Sequence, residues 1–312
     1  MFIFVKKKSF WLGLIWLIGL CRLFYHFYYL PDLQVVFCDV GQGDAILVAD
    51  NSVQILIDGG PDNKVLQCLK DNVLPWDKRI ELMVLTHADS DHFVGLTSVL
   101  DNYIVENLLV VNLPKISKDF DVFYQKVKKQ IVDHDLKIHF PVFAENGCIT
   151  DYVCWQIVSE NNIFLSGNIF DENYDLDQLS DLLNKSLYNN LNYNNESIVL
   201  NLTVDDKMFS LAGDVEAKGE LAMVNNGLLT KVDVLKVPHH GSKSSSTLDF
   251  LQVLQPEYSI VSVGSKNSFG HPHKMVLDNL EFINSKIFRT DISGEIKFTK
   301  NYNTDWKFST KK

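Results

Sequence analysis

Residues 86 to 92 read Thr-His-Ala-Asp-Ser-Asp-His and follow directly on the run Glu81-Leu82-Met83-Val84-Leu85. An apolar run closed by a polar turn predicts a buried strand over Leu82 to Leu85, with a helix starting near His92. His87, Asp89, Asp91 and His92 then crowd the carboxyl end of that strand. Imidazole nitrogens and carboxylate oxygens are the donors that suit zinc, manganese or iron. Capping the helix would use one such side chain, and four convergent ones have no capping explanation.

Outward from this stretch, short apolar runs ending in Gly or Asp alternate with amphipathic stretches, which predicts strands and helices in layers. Leu33 to Cys38, Ala45 to Val48 and Val53 to Ile57 read as an antiparallel meander, turning at Gly41-Gln42-Gly43 and Asp50-Asn51. Later strands are expected at Leu108 to Val111, Val153 to Val158, Ser197 to Val204, Met208 to Leu211, Val232 to Val237, Tyr258 to Val263 and Glu295 to Phe298. Helices are expected at Lys64 to Asn72, Asp119 to Val132, Glu216 to Val224, Thr247 to Leu254 and Lys274 to Asn284. Gly167 to Asn195, rich in Asn, Asp, Tyr and Leu without a clean period, reads as a flap or long loop.

The chain has 312 residues, 46% hydrophobic and 22% charged, as expected of a globular protein with a sizeable core. Its net charge of −10 excludes a whole-protein positive field, so affinity for a polyanion must come from a local site. Five cysteines show no CxxC pairing, which argues against a thiolate zinc site. They read best as small buried apolar residues, with one disulfide as the alternative.

The amino terminus differs from the rest. Lys6, Lys7 and Lys8 precede residues 10–30, a run of Leu, Ile, Trp, Phe and Tyr interrupted only by Arg22 and His26. That length predicts one membrane anchor, with the lysines in the cytoplasm and everything after Pro31 outside. No small-x-small cleavage site closes the run, and Leu20 is bulky for a lipoprotein site at Cys21. The expected organisation is an anchor over residues 1–30 and one catalytic-size domain over residues 31–312.

Four more polar clusters stand where apolar strands end: Asp58-Gly59-Gly60, Gly213-Asp214, Pro238-His239-His240-Gly241-Ser242 and Gly270-His271-Pro272-His273. Strand ends in layered folds are where side chains converge. His239 and His240, read as extended chain, should point opposite ways, one as a ligand and the other toward substrate or toward a group that supports a ligand.

The succession IDGG, THADSDH, AGD, VPHHGS and GHP resembles the metallo-β-lactamase fold hydrolases. Within them it is most similar to the extracytoplasmic hydrolase domain of ComEC-type DNA-uptake proteins, which share the opening DVGQGDAILV. The resemblance covers residues 33 to 300 and implies an αββα sandwich with two divalent metal ions, zinc or manganese, at one edge. It implies that His87 and Asp89 bind the first ion and Asp91, His92 and His240 the second. Asp214 would bridge the two, and Asp58 would hold the loop that carries His87. Asp91, His239 and His271 are the catalytic candidates, with Lys236, Ser242 or Lys243 neutralising a phosphate.

Two departures from the superfamily pattern stand out. Asp89 occupies the second position of the usual HxHxDH, a hardening of the donor set that the ComEC-type proteins share and that brings manganese into contention. No His occurs in Asn194-Asn195-Glu196-Ser197, where many members carry one. The expected function is a membrane-anchored, metal-dependent phosphodiesterase with nuclease-like chemistry, with single-stranded DNA as candidate substrate and the DNA-uptake machinery as candidate partner. The rivals are a cell-wall phosphocholine-type esterase, a lactone or lactam hydrolase, and a non-catalytic component of DNA uptake.

Overall fold

The computed structural model describes residues 11–20, 30–111, 115, 117–160, 170 and 192–312. Two sheets face each other. The first runs β17-β16-β1-β2-β3-β5-β7-β8 and the second β15-β14-β13-β12-β11-β10-β9. In the first sheet, β1 (Leu33–Phe37), β2 (Ile46–Asp50) and β3 (Val53–Ile57) form the antiparallel meander. β5 (Leu82–Leu85), β7 (Asn107–Val110) and β8 (Lys137–His139) continue it in parallel, and β16 (Ile296–Lys300) and β17 (Lys307–Thr310) close the other side. A two-residue pair, β4 (Arg79–Ile80) with β6 (Ile104–Val105), stands apart.

The second sheet begins with the antiparallel strands β9 (Asn146–Cys148), β10 (Val153–Ile157), β11 (Leu200–Val204) and β12 (Lys207–Leu211). It turns parallel through β13 (Val234–Lys236), β14 (Tyr258–Val261) and β15 (Lys286–Arg289). Parallel pairing puts the carboxyl ends of β12, β13 and β14 on one edge, and the same holds for β3 and β5 in the other sheet. All five site-bearing turns leave from those ends.

Three apolar layers follow from side chains alternating across each strand. In β1, Val36 points out to a layer shared with α1 (Lys64–Asn72), α2 (Ser90–Asn102) and α3 (Lys118–His134), whereas Leu33, Val35 and Phe37 point in to the space between the sheets. In β13, Leu235 faces the helices α4 (Ala217–Asn226), α5 (Leu248–Leu254) and α6 (Lys274–Phe282) on the far side, and Val234 faces inward. A short α7 (Thr290–Ser293) links β15 to β16. Covered on both faces, these strands carry apolar residues at successive positions, and the αββα expectation is met.

Three expectations need correction or restriction. Cys38 bonds to Cys68, and Cys148 to Cys154, so four of the five cysteines are paired and not free apolar filler. Sequence spacing carried no sign of this, because Cys38 at the end of β1 meets Cys68 in α1 only once that helix packs on the sheet. The expected membrane segment is described only as a helix over residues 11–20, with Trp11 and Trp16 exposed; residues 10 and 21–29 lie outside the described residues. Among the described residues no helix is long and apolar enough to cross a membrane. The expected flap at 167–195 also lies outside them, apart from Phe170, which stacks on Tyr124, and residues 192–195.

Candidate metal centre

The turn after β5 enters α2 at Asp89, which has extended backbone at the N-cap position but makes no side-chain cap bond. Helix initiation therefore does not consume the carboxylate. Gly59, after β3, lies against the same helix: a Cβ there would come within 2.5 Å of the Leu96 nitrogen, and one on Gly95 within 1.9 Å of the Gly59 oxygen. Only glycines let these backbones meet. Their contact, reinforced by Gly59 N–H donating to His92 O at 2.7 Å, brings Asp58 beneath the first turn of α2.

Asp58 organises two imidazoles from there. One carboxylate oxygen accepts from Thr86 N–H at 2.9 Å; the other accepts from Thr86 Oγ1 at 2.7 Å and from His92 Nδ1 at 2.7 Å. With its proton given to Asp58, the Thr86 hydroxyl can only accept from His87 Nδ1, 3.1 Å away. Both rings thereby turn Nδ1–H away from the centre and Nε2 toward it, the orientation a metal ligand needs. His240 is oriented the same way, its Nδ1 donating to Ser262 O at 2.8 Å.

The three Nε2 atoms converge on Asp214. His92 Nε2 is 3.3 Å from Asp214 Oδ1, and His240 Nε2 is 3.3 Å from Asp214 Oδ2 and 3.4 Å from Asp91 Oδ2. His87, His92 and Asp214 form one group of donors close enough to share an ion, and Asp91, His92 and His240 form another. His87 Nε2, His92 Nε2, His240 Nε2 and Asp214 Oδ1 are all buried without a hydrogen-bond partner. Leaving four such atoms unpaired is costly, and divalent cations would satisfy them together. The residues present therefore fit a metal centre, with Asp214 between the two groups.

Burial and neighbouring charge act differently on the three imidazoles when no cation is bound. Burial pushes the His87 imidazole down to about 4, and neighbouring His92 pushes it the same way. For His240, burial is outweighed by Asp214 and Asp44, which lift it to about 9. His92 rises well above its ordinary value, Asp214 and Asp58 overcoming its burial. Burial would raise Asp91 and Asp214, yet the imidazoles around them hold both below the usual carboxylate range.

Asp89 and the residues after β13 sit differently from expectation. Asp89 Oδ2 lies 3.8 Å from His87 Nε2, but Oδ1 is paired with the Lys115 ammonium, and the residue belongs to neither donor group. His239 and His240 are not extended: both have left-handed backbone, at φ 48° and 53°. That geometry costs about 1 to 2 kcal/mol per residue. It turns His240 into the cluster, while His239 Nε2 stays 3.8 Å from Asp214 Oδ2. His239 Nδ1 lies 3.4 Å from Glu216 Oε1 and 3.3 Å from Ser244 Oγ. His271 packs edge-on to His239, ring centroids 5.7 Å apart, and burial with the neighbouring His240 and His239 lowers its pKa to about 4.

Lys236 cannot meet a phosphate. It is fully buried, ion-paired with Asp44, donates to Gly213 O at 3.0 Å and lies 3.6 Å from Asp214 Oδ1. The reason is the strand period: Lys236 shares the inward face of β13 with Val234. Ser242 is also turned in, its Oγ 2.9 Å from Ser244 Oγ, and Lys243 alone of the three is exposed. Asp44, Thr86 and Glu216 were not singled out from sequence. Asp44 showed the same signal as the others, a carboxylate at a Gly turn beside an apolar run, whereas Thr86 and Glu216 are recognisable only by contact.

The family model of the metallo-beta-lactamase superfamily matches residues 38–265, a span that holds every turn of the cluster up to Ser242. The chain belongs to the metallo-beta-lactamase superfamily. It is 28% identical over 287 residues to ComE operon protein 3 of Bacillus subtilis, covering 85% of this chain and 33% of that protein. It is 28% identical over 273 residues to Recombination protein 2 of Haemophilus influenzae, covering 86% of this chain and 29% of the relative. Competence protein ComA of Neisseria gonorrhoeae is 26% identical over 273 residues, with coverages of 86% and 32%. The expected kinship with ComEC-type competence proteins is thus present, and the chain spans about a third of the length of these relatives. Igni18, a metallo hydrolase from Ignicoccus hospitalis, shares the fold at a TM-score of 0.50 and 13% identity, covering 85% of this chain and 98% of that one.

Proposed function

We propose that this superfamily member is a metal-dependent phosphodiesterase acting on nucleic-acid strands, held at the outer face of a membrane by residues 10–30. The observation that carries the reading is the convergence of three buried imidazole Nε2 atoms on Asp214 and Asp91. In this reading His87 would hold one ion and Asp91, His92 and His240 a second, with Asp214 placed to serve both and Asp89 reaching the first when Lys115 releases it. Divalent ions so held supply an activated water at neutral pH and neutralise charge building on phosphoryl oxygens. A donor set with three carboxylates and three imidazoles accommodates manganese as well as zinc.

The chain's own residues orient and move protons. Asp58 and Thr86 keep the ligand lone pairs aimed at the centre. His239, braced from behind by Glu216 and Ser244, presents Nε2 to the space in front of Asp214 and would protonate the departing oxygen. His271 sits beyond it against the substrate. The names of the relatives, which concern competence and recombination, favour nucleic acid over a lactam or a cell-wall ester and make the DNA-uptake machinery the candidate partner. The two disulfides favour an oxidising compartment outside the cytoplasm, as the lysines before residue 10 do by the positive-inside rule.

The test is hydrolysis of bis-p-nitrophenyl phosphate after chelation and return of manganese or zinc. Metal-dependent turnover that is lost in Asp91→Ala and Asp214→Ala is expected. Absence of turnover with every divalent ion would sink the hydrolase reading. Membrane attachment is tested separately, by carbonate extraction of the full chain and of a chain starting at Pro31.

A further inference from the structure

An acidic chain that acts on a polyanion needs affinity that does not come from net charge, and stacking on bases is one source that needs none. The rings that line the centre include the imidazoles of His239 and His271. One exposed ring extends them outward: Phe269 is 62% exposed and stacks on His271, with centroids 5.6 Å apart and planes inclined by 26°. His271 in turn packs edge-on to His239 at 5.7 Å, and His239 packs on the ligand His240 at 6.4 Å. A continuous row of rings therefore leads from the solvent to the metal centre.

Single exposed apolar side chains are ordinary on protein surfaces. Phe269 differs because its loop is held rigid. The Asn267 side chain accepts from His271 N–H at 2.9 Å and donates to His271 O at 2.9 Å and to Gly264 O at 2.8 Å, clamping both sides of Phe269. His273 packs edge-on against His271 at 5.3 Å, fixing the stack from its other side. The backbone on both sides of the ring is thus held and one ring face is supported, which lowers the ordering cost of a contact on the other face.

We infer that Phe269, supported by His271, is the platform on which an unpaired nucleobase stacks while another part of the same strand presents a phosphodiester to the metal centre. The inference rests on the phosphodiesterase reading and narrows its substrate to single-stranded nucleic acid, since a paired base offers no free face. It makes Phe269 a substrate-positioning residue that the motifs around it do not reveal.

The test uses the full chain in detergent, with calcium as divalent ion, and fluorescence anisotropy of a labelled single-stranded oligonucleotide beside the same strand made of abasic sites. Phe269→Ala should weaken binding of the base-bearing strand roughly 5- to 150-fold, the range for one stacked base. The abasic strand should bind wild type and variant alike, and Phe269→Trp should restore the difference between strands. A wild type that binds both strands equally, or a Phe269→Ala change that is absent or equal on both, overturns the platform. Turnover of bis-p-nitrophenyl phosphate separates the two ideas. Metal-dependent turnover without a base-dependent effect of Phe269 removes only the platform. A base-dependent effect without turnover removes only the hydrolase reading.

Discussion

Asp58 accepts the Nδ1 proton of His92 at 2.7 Å, although the two residues come from different ends of the sheet and helix that meet there. The same carboxylate takes two further bonds from Thr86, using both of its oxygens. An amide in its place can accept on one side only. Asp58→Asn should therefore release either Thr86 N–H or the His92 and Thr86 hydroxyl contacts, and lower metal affinity about 10- to 100-fold. Competition with a chromogenic chelator measures this, and unchanged affinity would show that the imidazoles are oriented by something else.

Lys236 is the cation beneath the centre, buried against Asp44 and Asp214. Lys236→Met would leave both carboxylates buried without it, and removing one partner of a buried pair costs about 3 to 5 kcal/mol. Urea unfolding of the metal-free chain should show that loss, and the double variant Lys236→Met, Asp44→Asn should recover part of it. A single variant as stable as the wild type would mean that Lys236 carries no structural charge role.

The metal-free protein should be most stable near pH 6.5. His240 is raised from 6.5 to about 9 in the fold, so its contribution is complete below 6.5 and lost as pH rises to about 9. His87 is lowered from 6.5 to about 4, so the unfolded chain binds the extra proton and stability falls as pH drops from 6.5 toward about 4. Thermal melts across this range in chelator should trace a maximum. With manganese or zinc added, the alkaline fall should disappear, because a metal-bound imidazole is already unprotonated. A monotonic profile in chelator contradicts this account.

The disulfide Cys38–Cys68 closes a separation of 30 residues. Chain entropy alone assigns such a loop about 3 to 4 kcal/mol. Cys38→Ser with Cys68→Ser should lower the unfolding free energy by that order, and the reductant sensitivity of the melting temperature should shrink in the variant. Equal sensitivity in both would place the reducible stabilisation in Cys148–Cys154.

Much of the architecture was legible along the chain because strands covered on both faces carry unbroken apolar runs. Leu82 to Leu85 and Lys64 to Asn72 fall where the pattern predicts. The edge strands β8, β9, β15 and β17 escaped notice: each is partly solvated, and Lys, His, Asn, Gly, Arg, Ser or Thr breaks the apolar run. The ligand candidates His87, Asp91, His92, Asp214 and His240 were visible because each stands at a strand end, and the structure brings those ends together.

What the sequence determined by itself was the set of polar groups delivered at the ends of buried strands, since period and composition act locally. Only the tertiary structure decided which of them meet. Asp44 and Lys236 pair across 192 positions because two inward faces oppose each other. Asp89 pairs with Lys115 at the mouth, and His240 swings inward through a left-handed turn that alternation along a strand cannot anticipate. Pairing of buried charge depends on distance and desolvation, and neither exists until the two sheets close over THADSDH.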